Sequence, residues 1–209
     1  MDKNEVKKFL DFLTTTAERN LVIIDFANVT HWEDVLGWRI DISKLRNLVK
    51  HMTIGKQYLR RFYYGQDYGP RDSSTTVLPW SQTIYERARN NGFEIITKRV
   101  KYIVDNKRAD GLVPKCDMDV EMVIDMLNEE NNYDKVIVFS GDGDLAPAYQ
   151  FLKNKYNKQI YVIGARDMVG REVVDATKTG TVDKLLFVED FEYRLAMDGY
   201  QSKTRFRGF

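Results

Sequence analysis

Short unbroken apolar runs punctuate this chain, each closed by a polar residue or a glycine. Leu21-Val22-Ile23-Ile24 runs into Asp25, Val136-Ile137-Val138-Phe139 into Ser140, and Ile160 to Ile163 into Gly164. Runs of this length, bounded by polar residues, read as strands buried on both faces. The aromatic-rich segment Tyr58–Tyr64, ending at Gly65, and the segments Phe93–Thr97 and Leu185–Val188 extend the set.

Between these runs the apolar positions change to helical spacing. Val6, Phe9, Leu10 and Leu13 predict an amphipathic helix over roughly residues 4–18. Asp41 is placed to cap a helix carrying Ile42, Leu45, Leu48, Val49 and Met52. A helix over Trp80–Asn90 stops at Gly92, another covers Asp119–Asn128, and Ser140-Gly141-Asp142-Gly143-Asp144 turns the strongest strand into a further helix. Gly69-Pro70 and Ser73-Ser74 mark a loop, and the polar stretch Lys98–Pro114 reads as a long loop or irregular extension.

Strands alternating with helices along the whole chain predict an α/β fold of three layers, α/β/α, around a mainly parallel sheet. No repeat or linker-like break appears. The expectation is one domain over residues 1–209, with an N-terminal helix to residue 20, a core over 21–190 and a mobile tail from about residue 195.

Composition narrows the chemistry. Hydrophobic residues make up 43% and charged residues 30% of the 209, a globular balance. No apolar run approaches the ~20 residues of a membrane span, and the charged start Met1–Lys8 lacks the apolar stretch of a signal peptide. With one cysteine, Cys116, no internal disulfide can form, which agrees with a cytoplasmic location. Two histidines, His31 and His51, and that one cysteine cannot build the usual His/Cys zinc site. A metal here must be a hard cation held by oxygen. The net charge of +1 removes bulk basicity as an argument for a polyanionic partner, so any such surface is local.

In doubly wound sheets ligands bind beyond the carboxyl ends of the strands. Asp25 directly follows the first strand, and Asp142 and Asp144 follow the strand Val136–Phe139. On the helix from Asp119, the stripe Val120, Val123, Ile124 and Leu127 reads as the core face. At ~100° per residue, Asp119 then lies about a right angle from that face, on the rim of the cleft, and Asp125 points to water. Asp117 precedes the helix, outside its periodicity. A set of aspartates without His or Cys suits Mg2+ or Mn2+, ions that activate water and stabilise charge on a phosphodiester. Each aspartate taken singly is also a common turn former or helix start. Their convergence on one sheet edge is what favours the ion.

Three blocks in order carry a resemblance: Ile24-Asp25-Phe26-Ala27-Asn28, Lys115-Cys116-Asp117-Met118-Asp119-Val120-Glu121-Met122, and Val138-Phe139-Ser140-Gly141-Asp142-Gly143-Asp144-Leu145. Together they resemble the NYN-domain family of PIN-like nucleases, over about Leu21 to Val188. The resemblance implies a Rossmann-like PIN fold and a metal-dependent ribonuclease, an endonuclease, that hydrolyses RNA with Mg2+ or Mn2+. By position it implies Asp25, Asp119, Asp142 and Asp144 as the catalytic, metal-binding set. It also implies Asn28 orienting Asp25 or a water, Ser140 donating to the carboxylates, and Lys115 contacting substrate phosphate. Between Asp117 and Asp119 the choice stays open, with Asp119 favoured because it lies within the helix pattern.

The densest basic stretch holds Lys98, Arg99, Lys101, Lys107, Arg108 and Lys115, with Tyr102 among them, and is the candidate RNA-contacting surface. The tail adds Lys203, Arg205 and Arg207. Trp32, Trp38 and Trp80 read as packing residues, Trp32 near enough to Asn28 to border the cleft. A homodimer is compatible with the pattern. The competing reading is a non-catalytic RNA-binding or regulatory module on the same fold. A haloacid-dehalogenase-type phosphatase is excluded, because that chemistry needs a second Asp two residues after the nucleophile and Ala27 stands there.

Overall fold

The apolar runs become the strands of one sheet, every pairing in it parallel. A computed structural model describes residues 3–13, 19–53, 57–71, 74–104 and 111–200. The first half of the chain gives α1 (Lys3–Leu13), β1 (Arg19–Asp25), α2 (Phe26–His31), α3 (Glu33–Leu36), α4 (Ile42–Met52), β2 (Gln57–Gln66), α5 (Pro79–Asn90) and β3 (Glu94–Arg99). The second half gives β4 (Lys101–Val104), β5 (Leu112–Lys115), α6 (Asp119–Asn128), β6 (Lys135–Phe139), α7 (Ala146–Tyr156), β7 (Gln159–Gly164), α8 (Arg171–Lys178), β8 (Lys184–Phe187) and α9 (Glu192–Leu195).

The strand order is β3-β2-β1-β6-β7-β8. The chain winds outward from β1 to β3, then returns to the centre and winds the other way from β6. The order therefore reverses between β1 and β6, where crossovers diverge and leave a crevice at the carboxyl ends. Register fixes the level of the two ends, with Ile24 opposite Phe139.

Side-chain parity splits the apolar runs between two core layers. Val22, Ile24, Phe62, Ile137 and Phe139 face α1, α4 and α5 through Leu10, Leu45, Leu48, Val49 and Ala88. Leu21, Ile23, Tyr63, Val136 and Val138 face the opposite layer with Met122, Met126, Leu145, Tyr149 and Leu152. A one-residue slip would exchange the layers, so the register is strongly specified. Asp25 shares the parity of Leu21 and Ile23 and so belongs to the α6–α7 side. The fold is the α/β, PIN-like arrangement anticipated from the sequence, with a six-stranded parallel sheet between helical layers.

Asp41 caps α4 as expected, accepting from the backbone N–H groups of Ser43 and Lys44. The stretch Lys98–Pro114, expected as a loop, instead contributes the end of β3 and an antiparallel pair, β4 with β5. Both strands of the pair are short and largely solvated, so no apolar alternation marks them, and Pro114 is tolerated because the pair has only edges. Trp80, expected to pack, is about half exposed. The expected extension of the first helix over residues 14–18 and, of the tail expected from about residue 195, residues 201–209 lie outside the described residues; the part before them is tied to the body, Met197 N–H donating to the Arg39 carbonyl at 2.9 Å. No helix among those described is long and apolar enough to cross a membrane.

Candidate metal centre

Asp25 ends β1 and caps α2, its Oδ1 accepting from the Asn28 backbone N–H at 3.1 Å. Its other oxygen accepts from the Ser140 hydroxyl, which follows β6, at 3.0 Å. Ser140 Oγ in turn accepts from the Asp142 N–H at 3.2 Å. Asp142 caps the short turn Gly143–Leu145, accepting from the Asp144 N–H at 2.9 Å. One chain of hydrogen bonds thus runs from β1 through the whole Ser-Gly-Asp-Gly-Asp loop.

One glycine gives this loop its course. A Cβ on Gly141 would lie 2.5 Å from the carbonyl oxygen of Met168, and Gly170 N–H donates to Gly141 O at 2.7 Å. The segment after β7 therefore clamps the aspartate loop. Gly65, at the end of β2, acts on the other side of the crevice: a Cβ there would sit 2.8 Å from Cβ of Cys116. The missing side chain lets the segment from β5 to α6 cross close over β2 and deliver Asp119.

Helix α6 turns a different face inward from the one its aliphatic stripe suggested. Met122 and Met126 are fully buried and, of the stripe, Val123 and Leu127 pack partly buried beside them, whereas Val120 and Ile124 are 66% and 49% exposed. At ~100° per residue, Asp119 is then about 40° from the centre of the buried face, not a right angle away. Asp125 does not point to water but accepts from the Tyr63 hydroxyl at 2.6 Å. Hydrophobicity alone ranks Val and Ile above Met. Met is preferred here because an unbranched side chain adapts to the irregular space beneath the sheet edge.

The result is a group of three carboxylates, Asp119, Asp142 and Asp144, whose ligand oxygens lie within 4.8 Å of one another. Asp25 stands beside the group rather than in it, 6% exposed and bound by its two donors. Burial raises the Asp25 pKa above the usual carboxylate value, the charge of Asp142 adds to this, and the Asn28 and Ser140 hydrogen bonds oppose it. Asp119 is pushed up to about 7, first by burial and then by the charges of Asp142, Asp117 and Asp25. Among the described residues, no lysine or arginine forms an ion pair with any of these four. Uncompensated anions gathered this closely repel, and a hard divalent cation relieves that repulsion. The oxygen-only donor set fits Mg2+ or Mn2+.

The neighbouring residues sort by what they touch. Asn28 Oδ1 accepts from Gly141 N–H at 3.1 Å and from the buried Trp32 indole at 2.8 Å, so Asn28 ties α2 to the aspartate loop. Trp32 thereby braces the site from the core rather than bordering it. Asp117 is exposed and accepts from the Asp119 N–H at 3.2 Å, securing the start of α6. Lys98 pairs with Glu121 at 2.7 Å and donates to the Asp117 carbonyl at 2.9 Å. Arg99 stacks on Tyr68 and donates to the Arg71 carbonyl. Lys101 and Lys115 are exposed and lie opposite each other across β4 and β5. Arg108 and Lys107 lie outside the described residues.

Comparison with known proteins agrees with this reading of the fold. A bacterial relative, the low amplitude and bright protein LabA of Synechococcus elongatus, is 26% identical over 159 residues, covering 76% of this chain and 80% of that protein. The crystal structure of a protein of unknown function from Vibrio parahaemolyticus superposes with a TM-score of 0.63 at 20% identity, covering 88% of this chain and 98% of that one, a likeness of fold. The family model for the NYN domain matches residues 19–184, spanning β1 to the start of β8 and every carboxylate of the site. The chain therefore belongs to the NYN domain family, of PIN-like nuclease fold.

Proposed function

We propose that this protein is a ribonuclease that hydrolyses RNA phosphodiester bonds with Mg2+ or Mn2+ held by Asp119, Asp142 and Asp144. The observation that carries the reading is the convergence of those three carboxylates at the β1/β6 switch point with no described cation paired to them. An ion bound there supplies a Lewis acid for the phosphoryl group and lowers the pKa of an attacking water.

The residues of this chain do the rest. Asp142 and Asp144 come from one loop and Asp119 from a helix start, so the site is closed only when both elements are in place. Asp25 contributes negative charge from below, fixed by Ser140 and Asn28. Lys101 and Lys115 on the exposed β4–β5 pair, with Lys98 and Arg99 at its base, supply positive charge for the phosphates flanking the cleaved bond.

The test is cleavage of an end-labelled single-stranded RNA by the full chain in Mn2+, Mg2+ or EDTA. Cleavage with either ion and none in EDTA is expected. Folded protein that binds the RNA but never cleaves it would move the function to a binding module.

A further inference from the structure

One buried polar group beside the cleft has no role in the site as described. Tyr149, on α7, is fully buried, and its hydroxyl has no hydrogen-bond partner. Other buried tyrosines differ: the hydroxyls of Tyr63, Tyr64 and Tyr133 donate to Asp125, Ser81 and the Met126 carbonyl. A phenylalanine would fill the place of Tyr149 without burying an unpaired hydroxyl.

Its surroundings place the ring in the core layer that underlies the carboxylates. Tyr149 packs in the core layer with Ile23, Met118, Val138 and Leu145. These stand one or two residues from Asp25, Asp119, Ser140 and Asp144, so the layer is the floor of the carboxylate site. The phenol also feels the charges of Asp25, Asp142 and Asp119 together, and burial, the larger effect, joins them in holding its proton on. The hydroxyl is thus held as a donor in the layer next to the carboxylates.

We propose that Tyr149 is a positioning residue of the metal centre, its hydroxyl donating to the carboxylate cluster from the core side when a divalent ion is bound. The inference rests on the ion-binding reading above. Groups that hydrogen-bond to ion-ligating side chains orient them, and losing one weakens ion affinity by about 10–100-fold.

The experiment is calorimetric titration of Mn2+ into the wild-type chain and Tyr149→Phe, with thermal unfolding of each in Mn2+ and in EDTA. The expected result is at least about tenfold weaker Mn2+ binding by the variant, with no loss of melting temperature in EDTA. RNA cleavage by the variant should then need proportionally more Mn2+ for half-maximal rate, while kcat at saturating Mn2+ is retained. Equal Mn2+ affinity in both proteins overturns the role of Tyr149 and leaves the ion site standing. A wild-type chain that binds no Mn2+ overturns both.

Discussion

The Ser140 hydroxyl reaches across the reversal point of the sheet to donate to Asp25 Oδ2 at 3.0 Å, joining the ends of β1 and β6. Ser140 is fully buried, and Asp25 nearly so. Removing the hydroxyl leaves a buried carboxylate oxygen and the Asp142 N–H short of a partner. Ser140→Ala should cost about 1–3 kcal/mol of stability, because unpaired buried groups carry their full desolvation penalty. Urea unfolding of the wild type and the variant side by side measures the loss.

Asp142→Asn keeps the cap, since an amide oxygen still accepts from the Asp144 N–H. It removes one negative charge from the cluster. Thermal unfolding in EDTA should therefore show a melting point equal to or above that of the wild type, while RNA cleavage is abolished. A variant that melts earlier and cleaves normally would place Asp142 in a structural role only.

The raised carboxylates make ion-free stability depend on pH with a definite sign. Asp119 titrates near 3.8 when unfolded and at about 7 when folded, and Asp25 is shifted in the same direction. Between those values the native state binds more protons than the unfolded state, so stability falls as pH rises. The favourable contribution is complete below pH 3.8 and is lost as pH passes through about 7. Unfolding in EDTA from pH 5 to pH 8 should show this decline, and saturating Mn2+ should flatten or reverse it. A curve that rises with pH in EDTA would contradict the shift.

The two loop glycines should respond unequally to alanine. At Gly141 the added methyl meets the backbone oxygen of Met168, which cannot move without the clamp it belongs to. A loss of about 1–3 kcal/mol is expected, with weakened ion binding. At Gly143 it meets the carboxylate end of the exposed Glu172 side chain, which can swing away. Chemical unfolding of the two variants side by side measures the difference.

The orientation of α6 is open to the same approach. Met122→Ala should cost about 2–5 kcal/mol as a core truncation, whereas Val120→Ala should stay within about 0.5 kcal/mol. The reverse order would restore the aliphatic stripe as the buried face.

That helix also illustrates where the sequence speaks and where it does not. Leu21–Ile24 and Val136–Phe139 were legible as strands because both faces of a parallel sheet are apolar, and Asp25, Asp142 and Asp144 follow directly from where those strands stop. Asp119 was legible as a candidate, but its direction was not, because helical periodicity offered two faces and the choice depended on the shape of the space beneath β2. Lys101–Val104 and Leu112–Lys115 pair through backbone hydrogen bonds that solvated side chains do not advertise. Trp32 reads as an ordinary core residue, and only three-dimensional placement turns it into a brace for Asn28.

Anomalous X-ray diffraction from Mn2+-soaked crystals shows whether Asp119, Asp142 and Asp144 together hold one divalent ion. An anomalous peak bounded by oxygens of these three side chains, absent in Asp142→Asn, is expected. A peak elsewhere in the molecule, or an undisturbed peak in the variant, would contradict it.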